Sequence, residues 1–458
     1  MTKQQLAREA VWDLAAQLGP NKVVTSGEAY DQTCRIWNGA VTSLPSLVVR
    51  ARTPGDVQAA VRAARRHELP LSVRAGGHDW AGRSLRDGGL VIDLTGMRQV
   101  TVNPVQRTAT VGGGATAADV IAAAAPHALA AVTGTVSTVG MTGLTLGGGY
   151  GVLNGRFGLA ADNLLGADLV LADGQAVSVD DDHEPELFWA IRGGGGNFGV
   201  VTSMRIRLPA ADRLLAGTIG YPLGQAARVL EQLDEILAAA PDELTVQAAL
   251  LTGPDATPGL FLVPVWSGDP AAGEPRIGQL RRIGTPILTQ VGSMTYSDLL
   301  HANDAQGVTG RHVIARTLSL PHFSPGAIAA LIESAETFSS PLSGVIIHDF
   351  HGAAARVPVE STPFGIRRPH LMIEIVGWWE PGDAAPHEAW ADKAFQALAP
   401  GALPGGYPNM LSPADQAQIA RAYGPNTTRL LAAKAHFDHD GTFSAIPLPA
   451  PGTSADDR

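Results

Sequence analysis

Short apolar runs alternate with helix-spaced apolar positions through the first half of the chain. Residues 45–50 (PSLVVR) and 71–74 predict strands. Between them, TPGDVQAAVRAARRHEL opens on Thr53-Pro54 and repeats Val57, Val61 and Ala64 at helical spacing. Strand patterns return at Gly89 to Leu94 and Arg107 to Gly114, and a second helix is predicted over Ala117 to Ala124. The buried strand LLGADLVLADG, the helix PELFWAIRG and the strand VVTSMRIRLP follow. From Leu214 to Ala399 the elements lengthen. Helices over Gln225 to Ala240, Ser324 to Phe338 and Ala385 to Leu398 alternate with the strands LTVQAALL, LFLVPVW, SGVIIHDF and LMIEIVGWW. That order predicts an antiparallel α+β sheet with helices on one side. Pro209 and the Pro/Gly punctuation LAPGALPGGYP mark boundaries, giving expected segments 1–207, 208–401, 402–446 and a flexible Pro/Ser/Asp-rich tail, 447–458.

Composition narrows the class. A chain of 458 residues, 45% hydrophobic and 17% charged, is a globular protein of about two to three domains. Its net charge of −10 argues against a nucleic-acid partner. The single cysteine, Cys34, excludes an internal disulfide framework and a thiolate metal cluster. The N-terminal MTKQQLAREAVWDLAAQL reads as an amphipathic surface helix, and no apolar stretch reaches membrane-spanning length, so a cytoplasmic location is expected.

Glycine supplies the chemistry-bearing signal. In VRAGGHDWAG, Val73 to Gly82, two adjacent glycines follow a strand and precede His78. Such a pair lets backbone N–H groups approach an anion, and neutral imidazole is a competent nucleophile. The run Gly134 to Gly155 holds 8 glycines in 22 positions, where about 1.5 are expected at average usage. Gly194, Gly196 and Gly199 satisfy G-x-G-x-x-G, but they follow a predicted helix and enter a strand, the reverse of a Rossmann site. The pair His436 and His439 has no third ligand in view, so no metal is expected.

These motifs resemble the FAD-linked oxidases of the vanillyl-alcohol-oxidase superfamily, in particular the berberine-bridge-enzyme-like branch. The match extends with gaps over nearly the whole chain, and TGLTLGGGYG within the glycine run is its closest part. The resemblance implies an α+β protein with a PCMH-type FAD-binding domain of two α/β subdomains. An antiparallel substrate-capping domain and a C-terminal return to the first domain complete the implied fold. It implies that His78 bonds covalently to a methyl carbon on the benzenoid ring of FAD. Arg74, Ala75, Gly76, Gly77, Asp79 and Gly82 would surround it on the first loop. Thr138, Val139, Gly140, Gly143, Leu144, Gly148, Gly149 and Asn154 would form the second cofactor segment, with Val200 and Val201 near the adenine end. Tyr407 and Asn409 would lie beside the isoalloxazine ring.

Departures from the family pattern sharpen the expectation. Val136 stands where many members carry a second cysteinyl link, which implies one covalent bond. Val139 is the smaller choice at the oxygen-gating position, implying dioxygen as acceptor. Met410 replaces the tyrosine that many members use in base catalysis, leaving Tyr407 and Tyr150 as candidates. The strand IIHDFHG places His348, Phe350 and Gly352 on one face and Asp349 and His351 on the other. The Asp349/His351 pair is a candidate acid/base couple. The implied function is oxidation of a C–H beside an O–H or N–H of a small organic substrate, giving hydrogen peroxide. A flavin dehydrogenase with another acceptor and a catalytically silent ligand-binding homologue are the alternatives. Substrate identity and oligomeric state are not legible.

Overall fold

The computed structural model describes residues 3–211 and 213–450; most of the predicted tail, from residue 451 on, lies outside them. Its strands form three sheets. The first is built from β1 (Val23–Val24), β2 (Leu47–Arg50), β3 (Leu71–Arg74) and β4 (Leu90–Asp93) in the order β1-β2-β4-β3. The pairs β2/β4 and β3/β4 are parallel. The helix Pro54–Arg66 crosses over between β2 and β3. It starts where predicted because Thr53 and Asp56 form a reciprocal capping box ahead of the Val57, Ala60, Val61 and Ala64 face. β3 ends at Arg74, so the loop carrying His78 leaves the C-terminal edge of this sheet.

The second sheet is antiparallel and five-stranded. Its strands are β5 (Val100–Asn103), β6 (Thr108–Gly112), β7 (Leu164–Val170), β8 (Ala176–Val179) and β9 (Val200–Arg207), ordered β5-β6-β9-β7-β8. The glycine-rich segment 193–199 connects the helix Pro185–Ile191 to β9, which is the context that rules out a Rossmann turn.

The third sheet has seven antiparallel strands. They are β10 (Leu214–Pro222), β11 (Leu244–Thr252), β12 (Pro258–Trp266), β13 (Leu288–Met294), β14 (His312–Leu320), β15 (Gly344–Phe350) and β16 (His370–Trp379), ordered β13-β10-β12-β11-β15-β16-β14. The sequence pattern predicted β11, β12, β15 and β16 but not the other three. β13 is a half-exposed edge strand without an apolar run, and β10 is interrupted by Gly217 and Gly220. The helix Pro270–Arg282 was also not predicted. It carries an internal Pro275 and buries only Gly273, Ile277 and Leu280.

Strand alternation divides this sheet into two working faces. Val246, Leu250, Val345, Ile347, Ile373 and Ile375 pack with Val229, Leu233, Leu331 and Trp390 of the covering helices. Gln247, Ala249, Ile346, His348, Met372 and Glu374 point the other way, into a cavity.

A buried ion pair fixes the segment beneath that cavity. Arg367, with its side chain 1% exposed, donates to both carboxylate oxygens of Asp162 at 2.7 and 2.8 Å and to Thr362 Oγ1 at 2.7 Å. Asp162 also accepts from the Leu159 N–H at 2.8 Å, so the pair joins the end of the glycine run to the turn before β16. Arg367→Met should cost about 3–5 kcal/mol, because it strands a buried carboxylate. Urea unfolding of the purified protein checks this, and a loss below about 1 kcal/mol would show the carboxylate to be resolvated easily.

Candidate active site

The two glycine loops meet backbone to backbone. A Cβ at Gly76 would fall inside van der Waals contact of the Gly140 main chain, and one at Gly140 would strike Gly76. Only glycine permits that approach. The junction floors a cavity of about 610 Å³, which extends under β9 and up to the open face of the seven-stranded sheet. Ala75, Gly76, Gly77, His78 and Asp79 line it from the first loop; Val139, Gly140, Gly143 and Leu144 line it from the second. Val136 and, from β9, Val200 and Val201 complete that side.

His78 sits on this wall with Nε2 2.8 Å from Thr138 Oγ1 and its ring stacked on Trp37, centroids 5.6 Å apart. Burial, assisted by the nearby Arg74 guanidinium, pushes its pKa down to about 4, so the imidazole is neutral at neutral pH. The opposite end is rich in unused polar atoms. Ser72 Oγ, Ser84 Oγ, Thr142 Oγ1, Arg83 Nη1 and Arg86 Nε are buried without a hydrogen-bond partner, and all five belong to cavity-lining residues. Arg83 is anchored on Asp79 at 2.8 Å, and Arg86 on the Ser444 carbonyl at 2.6 Å. Gly196, Gly199 and residues 443–446 close this end.

Two tyrosines form the polar centre of the other end. Tyr407 Oη accepts from the Gly149 N–H at 3.1 Å and from Asn409 Nδ2 at 2.9 Å. Burial pushes the Tyr407 pKa up to about 12, with those donors opposing the shift. The Tyr150 ring lies 4.6 Å from that of Tyr407, edge to face, and its hydroxyl is 2.7 Å from His370 Nε2. Burial raises Tyr150 well above the ordinary tyrosine value. On the sheet wall, Gln247 Nε2 is 2.8 Å from His348 Nδ1, and His348 Nε2 is 3.2 Å from Glu374 Oε2.

Several predicted site residues are placed elsewhere. Asp349 and His351 do not line the cavity. β15 alternates, and its odd positions Val345 and Ile347 face the helices, so the pair lies on that side with His351 Nδ1 3.0 Å from Asp349 Oδ2. Burial opposes charge on His351, but the Asp349 carboxylate outweighs it and raises the pKa. Asn154 is off the cavity too, its side-chain amide donating to the Asp349 carbonyl at 3.1 Å. Arg74 is turned toward Asp93 at 3.4 Å, and Gly82 packs on Val41. Thr138, Gly148 and Gly149 support the wall without lining it. Thr138 holds His78, while Gly148 and Gly149, at φ +118° and +85°, make the turn that sets Tyr150 and offers an N–H to Tyr407.

Sequence reasoning missed Trp37, Gln247, His348, Glu374 and Trp378. A parity signal existed: with Ile373 and Ile375 assigned to the helix side of LMIEIVGWW, Met372, Glu374, Val376 and Trp378 must face away from it.

Residues 45–180 match the FAD binding domain family. The chain is 30% identical over 434 residues to (R)-6-hydroxynicotine oxidase of Paenarthrobacter nicotinovorans, covering 90% of this chain and 93% of that protein. It is 31% identical to the FAD-linked oxidoreductase aurO of Gibberella zeae, over 93% and 85% of the two chains. The crystal structure of 6-hydroxy-D-nicotine oxidase from Arthrobacter nicotinovorans superposes with a TM-score of 0.84 at 29% identity, covering 94% of this chain and 97% of that one. The grass pollen allergen Phl p 4, a glucose dehydrogenase, shares the fold at 22% identity and a TM-score of 0.84, covering 96% of this chain and all of that one. An isoleucine-to-valine variant of that allergen is a glucose oxidase. The chain therefore belongs to the FAD-linked oxidoreductases of the vanillyl-alcohol-oxidase/PCMH superfamily, and it is an FAD-linked oxidoreductase. Its residues fit that cofactor: unpartnered serine, threonine and arginine groups suit a diphosphate dinucleotide, and bare glycine backbone suits a flat ring.

Proposed function

We propose that the chain is an FAD-dependent oxidase holding its flavin through one covalent bond from His78. It oxidises a C–H beside an O–H or N–H of a small organic substrate, with dioxygen as acceptor. In this reading residues 1–207 and 402–446 hold the cofactor and 208–401 cap the substrate. The observation that carries it is a neutral histidine, braced by Thr138, on the wall of a cavity floored by the Gly76–Gly140 backbone junction. Bound FAD supplies the hydride acceptor and delivers the electrons to dioxygen, giving hydrogen peroxide.

The protein's own share is placement and proton handling. In the tautomer whose Nε2–H donates to Thr138 Oγ1, the Nδ1 of His78 keeps a free lone pair toward the cofactor. Tyr407 is the better-supported base, because two donors aim at the atom on which negative charge would develop. The apolar wall of Ala249, Ile346, Val376 and Trp378 excludes water from the reacting carbon.

An oxygen-consumption screen across alcohols and amines, with peroxide measured, tests the reading. Turnover only with an artificial acceptor would instead make the protein a dehydrogenase. Val139→Ile should lower oxygen consumption about tenfold, or about 1.4 kcal/mol, while leaving anaerobic reduction by the same substrate unchanged. Equal oxygen rates in stopped flow would remove Val139 from the oxygen path.

A further inference from the structure

Tyr150 and Tyr407 present opposite hydrogen-bonding characters to the same cavity, and His370 is the cause. The His370 Nδ1 atom lies 2.7 Å from the Arg368 carbonyl, which can only accept. Nδ1 therefore carries the ring hydrogen, and in the neutral ring Nε2 is a bare acceptor. The 2.7 Å contact to Tyr150 is then donated by the tyrosine. His370 is 2% exposed, stacked on Phe350 at 4.4 Å, and takes no part in lining the cavity. Its burial pushes the pKa down to about 4, which agrees with a neutral ring.

We infer that His370 is a positioning residue for the reaction: it holds the Tyr150 O–H away from the cavity, so that the Tyr150 oxygen meets the substrate as an acceptor. Tyr407 is set the other way, because its oxygen already accepts from Gly149 and Asn409 and its own hydrogen is free to donate. A substrate that fits both carries a second donor for Tyr150, a hydroxyl or N–H, beside the group that Tyr407 deprotonates. An analogue lacking that donor leaves Tyr150 unpaired and is rejected. The inference rests on the proposed function of the cavity and names the group that selects within it.

The test uses flavin-loaded enzyme and the alcohol or amine of highest turnover in the oxygen screen. In His370→Asn the amide takes the place of Nδ1, keeping the Arg368 contact but falling short of Tyr150. In His370→Gln an acceptor returns near the position of Nε2. Tyr150→Phe and His370→Asn should each lower kcat/KM about tenfold at unchanged flavin content, and their combination should add no further loss. His370→Gln should restore most of the activity. In 15N-histidine-labelled holoenzyme, Nε2 of His370 should be unprotonated and should shift in Tyr150→Phe. Wild-type activity in His370→Asn, multiplying losses in the double variant, or a protonated Nε2 would overturn the inference. A silent Tyr150→Phe would overturn it together with the place given to Tyr150 in the active site. Absence of flavin from wild-type protein would instead strike the FAD reading itself.

Discussion

Alanine in place of His78 should give a protein whose yellow colour leaves with the supernatant on acid precipitation, whereas the wild-type pellet stays coloured. The expected change is all or none, because no cysteine lines the described cavity wall to form a second link: Val136 stands on it, and Cys34 is not among the residues lining it. The variant should still bind FAD while folded, since the Gly76–Gly140 junction and the unpartnered donors of Ser72, Ser84 and Thr142 do not depend on the imidazole. The pH dependence follows from the same residue. With a pKa of about 4, His78 is uncharged throughout pH 5.5–8, so attachment to added FAD should proceed across that range and fail only as the pH falls toward 4. A pellet still coloured in His78→Ala, read by mass spectrometry as a flavin-bearing peptide, would sink the assignment.

Tyr407→Phe should lower kcat by about 10²–10⁴-fold, the usual contribution of a positioned acid/base group. The variant removes one oxygen and leaves the Gly149 N–H and one of the two Asn409 Nδ2 hydrogens without an acceptor, the other staying on the Leu144 carbonyl. Because burial pushes Tyr407 up to about 12, the phenol is protonated at neutral pH, and its basic form gains population as the pH rises. kcat/KM in the wild type should therefore climb between pH 7 and 10 without a plateau, and that climb should vanish in the phenylalanine variant. A rate within threefold of wild type would pass the proton-accepting role to another group, Tyr150 first.

The glycine loops were legible in the sequence because their spacing is fixed by backbone approach, a requirement that few other settings impose. His78, Val139 and Tyr150 lie on those loops and line the cavity; Tyr407 and Asn409, expected from the family resemblance alone, line it too. The sheet wall was not legible to the same degree. Alternation in IIHDFHG correctly separated His348 and Phe350 from Asp349 and His351, yet nothing local says which side helices will cover. That choice is made by residues far away, Leu331 and Trp390 among them, which bury Val345 and Ile347 and so send His348 inward. Arg367 and Asp162 were missed for a related reason: their pairing spans 205 positions of chain, and no pattern within either segment announces it.

The two-sided seven-stranded sheet also bears on how such an enzyme is retargeted. Ala249, Ile346, Val376 and Trp378 stand outside the helix-packed layer behind them, and Ile346, Val376 and Trp378 pack with Val313 and Trp37 in a smaller cluster, so exchanging them alters what is accepted at a stability cost confined to that cluster. A combinatorial library confined to those four codons would sample new chemistries while leaving the main helix-packed core intact, as one randomising Val345 or Ile373 would not.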